Sequence, residues 1–65
     1  MRHFYISVYT VENGEYSYNL EAEDLNRPRE HAKRIISEGY WEILGDATEI
    51  FHAPWRIVKV KVKEV

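Results

Sequence analysis

The chain has 65 residues and no cysteine, and its nine Lys and Arg against eleven Asp and Glu give a formal net charge of −2. This length accommodates a single domain, residues 1–65, with a small core and marginal stability on its own. The missing cysteines exclude disulfide bonds and thiolate chemistry, and the negative charge disfavours strong non-specific binding to nucleic acid. No apolar run resembles a signal peptide or a membrane span, so we expect a cytoplasmic protein without membrane contact.

The first predicted element is a β-hairpin over residues 4–22, folded around Asn13-Gly14. Apolar and polar residues alternate with the period of a half-buried strand on both sides of this dipeptide, which is itself a strong hairpin signal. One face is predicted to be buried and to contain Phe4, Ile6, Val8, Thr10, Tyr16, Tyr18, Leu20 and Ala22. The other is predicted to be exposed and to contain His3, Tyr5, Ser7, Tyr9, Val11, Ser17, Asn19, Glu21 and Glu23.

The register of this hairpin is predicted from the hydrophobic pattern. A two-residue type I′ turn at the Asn-Gly dipeptide would place Ile6 opposite Glu21 and so mix apolar and polar residues on one face. A three-residue loop, Glu12-Asn13-Gly14, avoids this and pairs Ile6 with Leu20. The sequence therefore predicts a type I turn closed by a bulge, with Gly14 at positive φ.

One helix is predicted over residues 27–38. Pro28 suits the first helical turn, and Gly39 suits a left-handed C-terminal cap. Ile35 and Ile36 lie on a narrow apolar stripe, and mostly charged residues cover the remainder. We expect the helix to lie across a sheet with both isoleucines facing it.

Three further strands are predicted after the helix. Residues 40–44 and 48–53 are β-prone and flank a turn, and Pro54 then interrupts the pattern. The last strand, residues 56–65, alternates cleanly between one face with Val58, Val60 and Val62 and another with Ile57, Lys59, Lys61 and Lys63. The order β-β-α-β-β-β indicates an α+β domain, an antiparallel sheet of about five strands with one helix packed on one face.

The sequence shows no catalytic, cofactor-binding or metal-binding constellation. His3, His31 and His52 lack the spacing of a ligand pair, and scattered surface histidines are the more frequent case. The glycines form no phosphate-binding loop, and the serines fall on exposed strand or helix faces. The acidic residues gather on the hairpin, outside the kind of cleft that acid–base catalysis requires. We therefore expect no enzymatic activity and no cofactor.

The alternating lysines of the last strand have two interpretations. Lys59 and Lys61 could meet phosphates while Tyr5 and Tyr9 stack on bases, as on sheets that bind single-stranded nucleic acid. Alternatively, the lysines keep an edge strand from pairing with other chains and attract the glutamates of the exposed face. The second interpretation is favoured, because Glu21 and its neighbours share that face.

Trp41, Trp55 and Arg56 are the candidate protein interface. Trp55 follows the interruption at Pro54, and exposed aromatic and arginine side chains are typical of interface hot spots. A small core also needs large side chains, so packing in the core is the alternative for both tryptophans. Packing in the core is the favoured interpretation for Trp41. For Trp55, the core and the interface are equally favoured.

The arrangement of hairpin, single helix and alternating last strand resembles that of small uncharacterised proteins of phage and prokaryotic genomes. The segments that carry this resemblance are Phe4–Ala22, Pro28–Glu38 and Arg56–Val65. The resemblance is architectural and implies a small accessory protein without catalytic residues.

Our leading hypothesis is a non-enzymatic module that binds a protein partner or itself, with a homodimer formed by edge pairing of strands. Single-stranded nucleic-acid binding is the alternative, and a small enzyme or ligand carrier is the third hypothesis.

Overall fold

The computed structural model describes residues 1–65 and contains five strands and one α-helix. In chain order the elements are β1 (Arg2–Thr10), β2 (Glu15–Ala22), α1 (Asn26–Glu38), β3 (Tyr40–Ile43), β4 (Glu49–His52), a short 3-10 turn (Pro54–Arg56) and β5 (Ile57–Glu64). The predicted α+β class, the single helix and the antiparallel pairing are confirmed. No helix is long and apolar enough to cross a membrane.

The prediction of one five-stranded sheet is wrong, because the strands divide into two sheets. β2, β1 and β5 form a three-stranded sheet with β1 in the centre, here called the main sheet, and β3 and β4 form a separate hairpin. Gly39 ends the helix at φ 96° and leads directly into β3. The hairpin then contacts the main sheet through side chains, since the Tyr40 ring lies 6.2 Å from the rings of both Tyr16 and Tyr18.

The first hairpin has the predicted faces but a different register, and Ser7, which was predicted to be exposed, is buried in the middle of the outward side. Ile6 lies opposite Tyr18 and Val8 opposite Tyr16, so β2 is shifted by two residues from the predicted pairing of Ile6 with Leu20. Side chains alternate between the two faces with a period of two, so this shift leaves every residue on its predicted face.

The turn of this hairpin accounts for the shift. The loop is Val11-Glu12-Asn13, closed by a hydrogen bond of 3.0 Å from the Thr10 amide to the Gly14 carbonyl. Asn13 takes the left-handed conformation at φ 63°, a conformation that asparagine tolerates better than most residues. The predicted positive φ at Gly14 is therefore wrong, although a three-residue loop is present.

The second hairpin turns in the same way. The Leu44 amide donates to the Thr48 carbonyl at 2.8 Å, and the Ala47 amide donates back to the Leu44 carbonyl at 3.1 Å. The third loop residue, Ala47, is again left-handed at φ 68°. Unlike asparagine, alanine has no side-chain hydrogen bond to compensate for this conformation.

The helix covers one face of the main sheet. Ile6 and Val8 of β1 are fully buried and form the centre of the core with Ile35 of the helix. The partly buried residues that surround them are Tyr18, Leu20, Tyr40, Ile57, Val60 and Val62. Ile36, which was expected to face the sheet, is instead 46 % exposed. Consecutive helical residues point about 100° apart, so only one of two adjacent isoleucines faces the core.

An irregularity in β5 changes its predicted faces. Tyr9 pairs with Lys59 but Thr10 pairs with Ile57, so Val58 is an extra residue between the two pairs. This bulge turns Ile57 toward the core, against the prediction, and leaves Val58 61 % exposed. The three lysines of β5 keep their predicted outward direction.

Candidate functional site

The outward side of the main sheet brings the predicted nucleic-acid residues together. In the pairing of β1 with β5, Tyr9 lies opposite Lys59 and Tyr5 opposite Lys63. Lys61 lies between the two other lysines and points to the same side. Tyr5, Tyr9, Lys59 and Lys61 therefore share one surface. We name the outward side of β2, β1 and β5 the outer sheet face.

The lysines of this face lie close to an aromatic ring. The Nζ atoms of Lys59 and Lys61 are 4.9 Å and 5.9 Å from the centroid of the Tyr9 ring, within the range of cation–π contacts. The Tyr5 residue is 41 % exposed. No carboxylate forms an ion pair with Lys59, Lys61 or Lys63, because the ion pairs of the structure involve other residues. The positive charge along β5 is therefore available to an anion.

β2 gives the other edge of the outer sheet face the opposite charge. Glu15 and Glu21 point outward from β2, and Glu21 Oε1 lies 3.6 Å from Nδ1 of His3. The hydroxyl groups of Ser7 and Ser17, 3.3 Å apart, occupy the middle of the face. Charge thus changes from positive on β5 to negative on β2 across roughly 10 Å, the width of two strand spacings.

A shallow hollow of about 310 Å³ lies at the turn end of the outer sheet face. Its lining includes Tyr9, Lys59, Asn13 and two exposed valines, Val11 and Val58. The hollow extends the face beyond the Tyr9 ring and combines apolar groups with hydrogen-bonding groups.

The β3–β4 hairpin presents a second surface, and this one is almost entirely apolar. Trp41 and Ile43 are two residues apart on β3 and therefore share one face, and Phe51 lies opposite Trp41 on β4. All three side chains point to the same side of the hairpin. These residues are 57 %, 73 % and 45 % exposed, in that order. The Trp41 and Phe51 ring centroids are 4.9 Å apart. We name Trp41, Ile43 and Phe51 the hairpin apolar face; Glu49, opposite Ile43, is the charged residue on the same side.

The opposite side of the same hairpin is partly packed against the protein, although Ile50 on that side remains 41 % exposed. Tyr40, Glu42 and His52 point there, and His52 Nε2 lies 3.0 Å from Glu42 Oε1. The His52 ring also contacts the Tyr16 ring of β2, with centroids 4.6 Å apart. Burial raises the pKa of the Tyr40 hydroxyl, and the charge of Glu42 adds to the effect. Both sides of the hairpin thus carry aromatic groups, but the protein itself covers part of only one of them.

Trp55 lies on a third segment, the 3-10 turn before β5. It is 80 % exposed and has no ring contact with Trp41. Arg56 is tied to the first hairpin, because its side chain pairs with Glu12 and its carbonyl accepts a hydrogen bond of 2.9 Å from the Val11 amide. Both tryptophans are therefore exposed, but they lie on separate segments.

Ile43 and Phe51 were not among the residues predicted from the sequence to form an interface. Each was assigned to a predicted strand, but neither stood out as an interface residue. The sequence did contain a sign of this apolar face. Trp41 and Ile43 are two residues apart and so lie on the same face of a strand, while Tyr40 lies on the opposite face. A strand with an aromatic residue on each face buries both of them only when each face has a covering layer.

No group of three or more His, Asp or Glu side chains lies close enough together to hold a metal ion. Comparison with protein-family models, with curated proteins and with solved structures finds no match to this chain. The candidate function therefore rests on the outer sheet face and the hairpin apolar face.

Proposed function

We propose that this protein is a non-enzymatic protein-binding module whose contact surface is centred on the hairpin apolar face. The observation that carries the proposal is the exposure of Trp41, Ile43 and Phe51 side by side, on the side of the hairpin that makes no contact with the main sheet. Contiguous exposed apolar groups mark interaction surfaces, whereas apolar residues scattered singly over a surface do not.

Trp41 is the proposed anchor of this contact. Tryptophan is enriched among the residues that dominate binding energy, and truncation of such an anchor costs about 2 kcal/mol or more. Phe51 already packs on the Trp41 ring, so the indole loses little conformational freedom when a partner binds. Ile43 continues the apolar area toward the hairpin tip, and Glu49 supplies a polar group at its edge.

Trp55 and Arg56 form a proposed second contact region. The indole of Trp55 is the most exposed large apolar group of the chain, at 80 %. The neighbouring Arg56 side chain is held by Glu12, so a partner would meet an arginine that is already oriented. An exposed indole beside an oriented guanidinium is the composition expected of an interface anchor.

Site-specific photo-crosslinking tests the proposal. A photoreactive phenylalanine analogue replaces Ile43 in the full chain, expressed in cells of its natural source. In a control chain it replaces Val58, another apolar strand residue, which is 61 % exposed on the main sheet. We expect a discrete protein adduct from position 43 and none from position 58.

The partner identified in this way then allows a binding measurement. Trp41→Ala should lower the affinity of the purified partner by more than about tenfold, whereas Val58→Ala should leave it unchanged. Absence of an adduct at position 43, or equal adducts at both positions, would contradict the proposal.

Single-stranded nucleic-acid binding at the outer sheet face is a second candidate, supported by one specific observation. Tyr5, Tyr9, Lys59 and Lys61 share that face, and both lysines lie over the Tyr9 ring without a carboxylate partner. This combination supplies stacking surfaces and phosphate partners together. It ranks second because Glu21 and other acidic groups of β2 lie on the same face and the net charge is −2.

Titration with a fluorescent single-stranded oligonucleotide at low salt tests this candidate. Tyr9→Ala should weaken binding by roughly 1–3 kcal/mol through the loss of one stacked base. Lys61→Glu should weaken binding and reduce its salt dependence. Lys33→Glu makes the same charge change on the exposed side of the helix and serves as the control. Lack of binding at low salt, or equal weakening by Lys33→Glu, would exclude the candidate.

A further inference from the structure

We propose that the partner of the hairpin apolar face is a second copy of this chain, and that the two hairpins stack face to face around a two-fold axis. The proposal rests on the proposed function, because it names the occupant of the same surface. It replaces edge pairing of strands, the geometry expected from the sequence, with stacking of two exposed sheet faces.

The charges of the main sheet disfavour edge pairing between two copies. β5 is an edge strand, and pairing it with its own copy around a two-fold axis would set Lys59, Lys61 and Lys63 against the same three lysines. Like charges directly opposite each other destabilise paired strands. The other edge, β2, would set Glu15 of one copy against Glu21 of the other when the strand pairs with itself over nearly its full length. The hairpin apolar face has no lysine or arginine and only one acidic neighbour, Glu49.

The hairpin apolar face is complementary to itself. The bulky pair Trp41 and Phe51 lies at one end, and the smaller Ile43 lies at the other, opposite Glu49. When two such faces stack antiparallel, the large end of one copy meets the small end of the other, so the combined thickness is even. The same arrangement keeps the two Glu49 carboxylates at opposite ends of the contact. A two-fold axis requires this kind of self-complementary patch.

The exposed area suits a weak dimer. A large side chain contributes on the order of 200 Å² when fully exposed. The exposed fractions of 57 %, 73 % and 45 % therefore leave roughly 350 Å² of apolar surface per copy. With the rim of the hairpin included, two copies would bury about 1,000 Å² in total, near the lower limit of specific interfaces. An interface of this size is typical of weak or transient association.

Sedimentation velocity over about a hundredfold range of concentration tests the dimer. We expect the wild-type chain to change from monomer to dimer mass as concentration rises. Ile43→Glu should remain monomeric throughout, and its circular dichroism should be unchanged because Ile43 is 73 % exposed. Val58→Glu makes the same substitution on the main sheet, where the valine is 61 % exposed, and should dimerise like the wild type.

Tryptophan fluorescence gives a second test, because it reports whether Trp41 is covered in the dimer. The chain has two tryptophans, so Trp55→Phe leaves Trp41 as the only one. Dilution of this variant should shift its emission to longer wavelength and increase quenching by acrylamide, because the Trp41 indole becomes exposed to water. Emission that does not change with concentration would contradict a contact at Trp41.

The outcomes separate this inference from the proposed function. A chain that is monomeric at every concentration, but whose photoreactive group at position 43 captures a different protein, overturns self-association and retains protein binding. A monomeric chain without any adduct at position 43 overturns both. Dimers that form equally in Ile43→Glu and in the wild type would place the contact elsewhere and overturn the inference alone.

Discussion

The hydroxyl of Tyr18 and Nδ1 of His31 lie 3.0 Å apart, a hydrogen bond that joins β2 to the helix. Burial lowers the pKa of His31, and the positive charges of Arg27 and Arg34 lower it further. The same burial raises the pKa of Tyr18, so the phenol stays protonated over the whole range in which histidine titrates. The hydrogen bond between Tyr18 and His31 is therefore made with the neutral form of the imidazole ring.

Acidification is expected to destabilise the protein through His31. Its pKa is lowered from the ordinary value of 6.5 in the folded chain, so the unfolded chain binds the proton more readily. Well above pH 6.5 both states carry a neutral ring, and His31 does not make stability depend on pH. As the pH falls below that value, stability decreases until the folded-state pKa has been passed. Thermal unfolding followed between about pH 7.5 and 5.5 should show a falling Tm.

His31→Asn is the control for this prediction. The asparagine side chain does not titrate, so the difference in Tm between the two pH values should be smaller in the variant than in the wild type. The histidines that lie near Glu21 and Glu42 remain in both proteins and cancel in the comparison. An equal pH response in both proteins would show that the Tyr18–His31 contact does not control stability.

Ala47→Gly is expected to stabilise the second hairpin. Ala47 has φ 68°, a conformation that costs an L-residue roughly 1 kcal/mol and costs glycine almost nothing. Part of this gain is offset by the greater freedom of glycine in the unfolded chain. We expect the free energy of unfolding in urea to rise by about 0.5 kcal/mol. Asn13→Gly, at the equivalent position of the first hairpin, should have a smaller effect because asparagine already tolerates φ 63°.

Gly45→Ala, in the same loop as Ala47, is expected to stabilise the protein by adding a side chain. No atom lies within 4 Å of the position that a Cβ would occupy at Gly45, and its φ is not positive. The substitution restricts the unfolded chain without strain and should stabilise by up to roughly 1 kcal/mol. A loss of stability in urea titration would mean that this loop does not have the conformation described.

Gly14→Ala is expected to destabilise the first hairpin for a steric reason. A Cβ at this position would lie 2.7 Å from Thr10 Oγ1 and 3.0 Å from atoms of the Tyr16 ring. Overpacking of this kind costs about 1–3 kcal/mol, which a denaturant titration would detect. The loss should be smaller in a Thr10→Ala background, because the closest atom is then gone. Equal losses in the two backgrounds would contradict the steric explanation.

Gly39→Ala should be the most damaging of the glycine substitutions. Gly39 has φ 96°, and a Cβ there would lie 2.6 Å from the His52 carbonyl oxygen and 2.7 Å from the Phe51 ring. The backbone oxygen belongs to β4, so the hairpin would have to move away from the helix end. We expect a loss of roughly 2 kcal/mol or more in chemical denaturation, with altered NMR shifts at Phe51. A variant as stable as the wild type would contradict this close approach of the two segments.

The alternation of residues predicted the faces of the strands but not their partners. Ile6, Val8 and Tyr18 are inward as predicted because face assignment survives any register shift of two residues. The choice of Asn13 over Gly14 as the left-handed residue was not predictable, since both types adopt this conformation. The bulge at Val58 was also not predictable, because apolar residues and lysines alternate regularly through this part of the sequence.

The two candidate surfaces differed in how much the sequence revealed. The shared face of Tyr9 and Lys59 followed from alternation together with the pairing of the first and last strands, which was considered from the sequence. The hairpin apolar face depends on the division into two sheets, which strand propensity does not determine. Trp41 was a candidate on composition alone, but its contact with Phe51 could be found only in three dimensions.

The central position of β1 has a consequence for the synthesis of the chain. β1 is synthesised before β5, one of its two partners, and the helix and three other strands lie between them in the sequence. Until β5 is made, one edge of the strand that contains Phe4, Ile6 and Val8 has no neighbour, although these residues are the most buried in the finished protein. The main sheet is therefore completed only once β5 has been synthesised, and this pairing joins segments far apart in the sequence, which is the kind of contact that slows folding.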